Sequence, residues 1–108
     1  MDRDIIDPDF RFDTQKVMNA WPRTVRLKLA EEIRRVQNGD APLHWKPLPQ
    51  IKKGLREIRV KVDTNIYRTV YIIMKGGVVT IVDAFQKKNQ KMSKKDRERI
   101  KQRLKQIG

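Results

Sequence analysis

Arg56, Arg59 and Arg68, followed by the Lys87–Lys88 pair, are the side chains of this chain best suited to handling a phosphate. A guanidinium grips two phosphate oxygens with its planar fork, and an ammonium supplies a point charge or, among other cations, a proton. Such a set suits one reaction on RNA, where every phosphate has a nucleophile beside it. The 2′-hydroxyl must be aligned, the extra negative charge of the phosphorane neutralised, and the departing 5′-oxygen protonated. None of these steps requires a metal ion or a cysteine. An oriented charge of this kind contributes about 3–4 kcal/mol to a transition state. Like charges meeting across neighbouring strands weaken folding, so a converging cluster calls for a functional reason.

Other candidates have structural readings that come first. Tyr67 and Tyr71 share a strand face, where core packing is the first expectation and stacking on a base the second. Trp21 and Trp45 are expected as core or loop anchors, and His44 as a surface residue of a proline-rich loop. Asp83 is expected to pair with Arg68 or a lysine, or else to tune a lysine that acts as acid or base. With one histidine and no cysteine, a His–His zinc site, thiolate metal sites, disulfides and a cysteine nucleophile are excluded. No metal and no cofactor is expected.

Charge indicates what such residues would meet. The chain has 108 residues and a formal net charge of +13. From Met1 to Leu43 eight basic residues cancel eight acidic ones, whereas from His44 onward eighteen face five. An excess placed this unevenly attracts polyanions, of which nucleic acid is the commonest for a small basic domain. The start, MDRDIIDPDF, has neither a basic n-region nor an apolar h-region, and no apolar run reaches the ~20 residues of a membrane span. The expectation is a cytoplasmic protein with no membrane partner.

The elements that must position these residues follow from periodicity. One domain, 1–108, is expected, since a chain of this size buries a single core. DFRF (Asp9–Phe12) reads as a short strand, and Asp13 as the cap of a short helix carrying Val17, Met18 and Trp21. Pro22 suits the first turn of a second helix, in which Val25, Leu29, Ile33 and Val36 form one apolar stripe and Gly39 a left-handed stop. After a proline-rich loop, LREIRVKV (Leu55–Val62) alternates, with Ile58, Val60 and Val62 on one face and Glu57, Arg59 and Lys61 on the other. Turns at Asp63–Asn65 and Lys75–Gly77 join it to IYRTVYIIM (Ile66–Met74) and VVTIVDAF (Val78–Phe85) as an antiparallel meander. FQKKNQK (Phe85–Lys91) reads as a loop. Ser93 and Asp96 have capping-box spacing ahead of a helix from Lys94 to Ile107, docked by Ile100, Leu104 and Ile107. Lys95, Arg99, Lys101, Arg103 and Lys105 are expected to lie largely in water.

Taken together, KPLPQIKKGLREIRV, IYRTVYI and AFQKKNQKMSKKDRERIKQR resemble the HigB-like, phage-derived branch of the RelE/ParE type II toxin superfamily, in order from about Trp21 to Ile107. The resemblance implies an α+β fold: a small twisted antiparallel sheet, two N-terminal helices packed on it and a C-terminal basic helix. It implies a metal-independent mRNA endoribonuclease that acts on the ribosome. It implies a cognate antitoxin, commonly a helix-turn-helix protein, with operator DNA reached only through that partner. Arg59, Arg68 and Lys87 or Lys88 match the family's catalytic places. Arg56, Lys61, Tyr71, Lys91, Lys94 and Lys95 are the accompanying RNA-binding candidates. Relatives often read His-Ala-Phe where this chain has Asp83-Ala84-Phe85. Two readings of other classes stand beside the nuclease: a non-catalytic module binding RNA, the ribosome or DNA, and a ParE-like gyrase inhibitor. The nuclease reading requires Arg59, Arg68 and the lysines to share one accessible hollow.

Overall fold

The computed structural model describes residues 5–89 and 91–108. The extreme N-terminus read for a leader, and Gln90 within the lysine segment, lie outside the described residues. The fold is α+β. Its elements run β1 (Asp9–Phe10), α1 (Thr14–Asn19), α2 (Arg23–Gln37), β2 (Trp45–Pro47), β3 (Arg56–Val62), β4 (Asn65–Met74), β5 (Val78–Lys87) and α3 (Lys94–Ile107).

The sheet order is β1-β5-β4-β3-β2. Strands β2 to β5 pair antiparallel, but β1 lies parallel to β5, with Asp9 opposite Thr80 and Phe10 opposite Ile81. The expected antiparallel meander is present, and β1 adds a parallel strand at its edge, so the five-stranded sheet is mixed. A two-residue strand gives no periodicity of its own from which its pairing could be read. Strand β2 is a further addition: Trp45–Pro47 pairs with Arg56–Ile58 at the sheet edge, where proline is tolerated.

Each face of the sheet carries a core. Val25, Leu29, Ile33 and Val36 of α2, with Met18 and Trp21, pack on Ile58, Val60, Tyr67, Tyr71, Val79 and Ile81. On the opposite face Ile100 of α3, with Leu104 and Ile107, packs on Leu48, Leu55, Val70, Ile72 and Val82. Two helix layers around one sheet explain why both faces of β4 and β5 are apolar. Asp13 occupies the cap position of α1 without a side-chain cap bond; its carboxylate instead meets Arg103 at 3.0 Å. Gly39 ends α2 at φ 89°, a conformation that favours glycine. Buried Glu32 accepts the backbone N–H groups of Leu43 (3.0 Å) and His44 (2.9 Å), fixing the approach to β2.

One irregularity decides what the sheet presents. The β4–β5 register shifts between Val70 and Tyr71: Tyr71 pairs with Ile81, but Val70 pairs with Asp83. Val82 is thus an extra residue, a β-bulge. Because side chains alternate, a one-residue slip exchanges the two faces of everything beyond it. The bulge turns Asp83, Phe85 and Lys87 toward α3 and onto the face of Arg59 and Arg68.

Candidate functional site

Register places the basic residues in two rows across three strands. Arg59 on β3 stands opposite Arg68 on β4, which stands opposite Phe85 on β5; one step along, Lys61 is opposite Ile66, and Ile66 opposite Lys87. Paired residues point to the same side of a sheet, so Arg59, Lys61, Arg68 and Lys87 all occupy the α3 side. Two strand spacings, about 10 Å, separate the outer members of each row.

Two arginines directly opposite each other need a counter-charge. Glu57, two residues before Arg59 on the same face, provides it. It is buried, accepts from Arg59 Nε, and receives Arg68 Nη1 at 3.3 and 3.4 Å. Arg68 Nη2 also donates to the Asn89 carbonyl, beyond the end of β5. The Phe85 ring meets two guanidinium groups, its centre 5.9 Å from Arg68 Cζ and 5.3 Å from Arg99 Cζ. Arg68 is 0% exposed whereas the Arg59 side chain keeps 25%.

That burial corrects the direct catalytic role expected for Arg68. Its guanidinium is covered and bonded to Glu57 and Asn89, so as folded it offers no surface to a phosphate. Arg56 lies apart from the cross-strand rows. It pairs with Tyr71 and therefore points to the α1–α2 side, away from Arg59, with Cζ 4.6 Å from the centre of the Trp45 ring. Tyr71 is 0% exposed and cannot stack on a base. Burial pushes its hydroxyl up from the ordinary tyrosine range against the lowering influence of Arg56.

The lysines divide. Lys87 belongs to β5 rather than to a loop, and its ammonium is bound by Asp96 at the start of α3. Lys61, Lys88, Lys91, Lys94 and Lys95 are exposed. Lys88 and Lys91 follow β5, and Lys94 and Lys95 open α3, so they extend the basic surface from the end of the sheet onto the helix.

A second carboxylate set ties α3 down beside the rows. Ser93 and Asp96 make a reciprocal capping box, Asp96 N–H reaching Ser93 Oγ at 3.1 Å and Ser93 N–H reaching Asp96 Oδ2 at 3.3 Å. Arg99 Nη2 meets Asp96 at 3.0 Å. Burial alone would raise Asp96, but hydrogen bonds from Lys87, Ser93 and Arg99 outweigh it and hold the carboxyl at about 2. Buried Asp83 receives Arg99 Nε and Arg103 Nη1, each at 3.0 Å. Its partners are therefore neither Arg68 nor a lysine. Burial pushes Asp83 above its ordinary value against the pull of both arginines. Enclosed in this way, it is a helix anchor and not an exposed acid.

Arg99 and Arg103, expected in water, thus reach back to the sheet. Glu57 and the inward arginines are the functional neighbours that sequence reasoning missed. The alternation that put Glu57 beside Arg59 was a visible signal; nothing local announced the inward turn of Arg99 and Arg103. Among the described residues no cluster of three His, Cys, Asp or Glu could hold a metal ion, and no helix is long and apolar enough to cross a membrane.

A family model described as "Phage derived protein Gp49-like (DUF891)" matches residues 16–105. No curated protein and no solved structure matches the chain.

Proposed function

Because this chain belongs to the Gp49-like family of phage-derived proteins, a family related to RelE- and HigB-type toxins, we propose that it is a toxin that cuts messenger RNA on the ribosome. The observation that carries this reading is the pair of cross-strand rows, which gathers Arg59, Lys61 and Lys87 around the buried Glu57–Arg68 pair. Arg59 is the partly exposed guanidinium suited to a phosphorane, and Lys87, or the adjacent Lys88, the ammonium suited to the leaving oxygen. Arg68 is buried and does not share the accessible hollow that the nuclease reading required of it; on this proposal it acts through Glu57, holding that carboxylate where it orients Arg59. The 2′-hydroxyl supplies the nucleophile.

Primer extension on a reporter transcript, with and without translation, tests the proposal. The wild-type chain should give discrete cuts and 2′,3′-cyclic phosphate ends. Arg59→Ala should reduce cutting by at least about a hundredfold, the loss typical of one oriented charge, with the fold intact. Cutting that survives this change refutes the assignment.

One observation favours a second reading, a module that docks on RNA without cutting. Arg59 and Lys87 each already have a carboxylate partner, Glu57 and Asp96, which lowers the charge they offer a transition state. Binding without new RNA ends would identify that function, and DNA-damage signalling without RNA cleavage would identify a gyrase inhibitor.

A toxin-like family implies a cognate antitoxin. We propose a helix-turn-helix partner that carries the operator-binding function and covers Arg59, Lys61 and the lysines after β5. Stoichiometric addition of the adjacent gene's product should raise the melting temperature; an unchanged melting curve excludes that product as the partner.

A further inference from the structure

We infer that Trp45 and Arg56 form a base-stacking platform for single-stranded RNA at the β2 edge of the sheet. Trp45 is one of the few large apolar side chains left open, 36% exposed, on an edge strand whose three residues are all exposed. It belongs to neither core. Arg56 Cζ lies 4.6 Å from the ring centre, so a cation is held over the indole, and about a third of the residue, 36%, stays open to solvent.

Beside the indole is a cavity of about 450 Å³, large enough for a nucleotide. Lys28, His44, Arg59 and Lys61 line it together with Trp45. Of its acidic groups, Glu32 is committed to the Leu43 and His44 N–H groups, which leaves Glu31 on α2. Arg59 and Lys61 border this cavity from the edge of β3, while their side chains stand in the cross-strand rows on the other face of the sheet. A strand of RNA can therefore lay a base on Trp45 while its phosphates pass around the edge of β3 to the basic face. An aromatic surface flanked by cations is the arrangement that holds unpaired bases, because every base has a π-face and every nucleotide a charge. A duplex keeps its bases stacked on one another and cannot use such a surface.

This inference rests on the reading that the chain engages RNA, though not on its cutting RNA. The probe is a short 2′-O-methyl oligoadenylate, which cannot be cleaved through its own 2′-oxygen, compared with an abasic backbone of equal length. Trp21 is buried against Tyr67 at 5.1 Å, so emission changes on binding report Trp45. The oligoadenylate should quench wild-type emission, and Trp45→Phe should lose the response while binding a labelled probe within about twofold of wild type. Trp45→Leu should weaken that probe by about five- to a hundredfold, the range for loss of one stacked base. The abasic backbone should bind wild type and Trp45→Leu alike. Equal oligoadenylate binding by a folded Trp45→Leu variant overturns the platform, as does wild-type emission unmoved at saturation. If transcripts are cut but Trp45 never responds, the platform is wrong and the nuclease stands. Quenching without cutting keeps the platform and removes the nuclease.

Discussion

Replacing Arg68 by methionine tests whether its guanidinium is a structural cation sealed in the sheet. Arg68 and Glu57 are both 0% exposed, joined at 3.3 Å. Removing one member of a buried pair costs about 3–5 kcal/mol, because the other charge is left without its desolvated partner. Arg59 remains on Glu57 with a quarter of its side chain in solvent, so the lower end, about 3 kcal/mol, is the expectation. For a domain of this size that lowers the melting temperature by about 12–20 °C. Arg59→Met should cost about 1 kcal/mol or less, since its pair is partly screened by water. Glu57→Leu combined with Arg68→Met should recover most of the loss, because no buried charge then remains. Circular dichroism melts of the single and double variants decide the matter. An Arg68→Met chain melting within about 2 °C of wild type, or a double variant no better than the single, refutes the reasoning from burial.

Two further changes probe the attachment of α3. Asp96, held at about 2, contributes stability that is fully present above the ordinary carboxylate range and is lost as pH falls through about 2. The span amounts to about 2 kcal/mol, and Asp96→Asn should flatten the acid limb of the melting temperature against pH; an unchanged limb excludes Asp96 as its source. Asp83→Asn weakens the hold on Arg99 and Arg103, so amides of α3 should exchange about tenfold faster while those of β3 and β4 keep their protection. Equal slowing or equal speeding throughout would show that Asp83 does not act through the helix.

Much of this architecture is legible in the amino-acid order, and the parts that are not share one cause. The four-four-three stripe from Val25 to Val36, the alternation of β3 and the Ser93–Asp96 cap are local patterns, and each produces the element it predicts. The bulge at Val82 is a property of two strands in register, invisible in either alone. So is the parallel seat of β1. Placing Lys87 in a loop left its facing undetermined, whereas a bulged strand gives it a definite side. For the site, residue type pointed to Arg59 and the lysines as phosphate ligands. It could not separate an arginine at the surface from Arg68, which packs of neighbouring strands bury completely. Charge alone sent Arg99 and Arg103 into water; the carboxylate of Asp83, brought near by the bulge, draws them inward.

The contact of Asp13 with Arg103 closes a loop of 90 residues. Its consequence concerns the order in which the molecule is born. Synthesis delivers α1 and α2 early, yet the basic rows wait for β5, and their anchoring waits for the final helix. On the proposed function, a nascent copy stays harmless to the ribosome producing it until α3 has emerged from the exit tunnel and docked on the sheet.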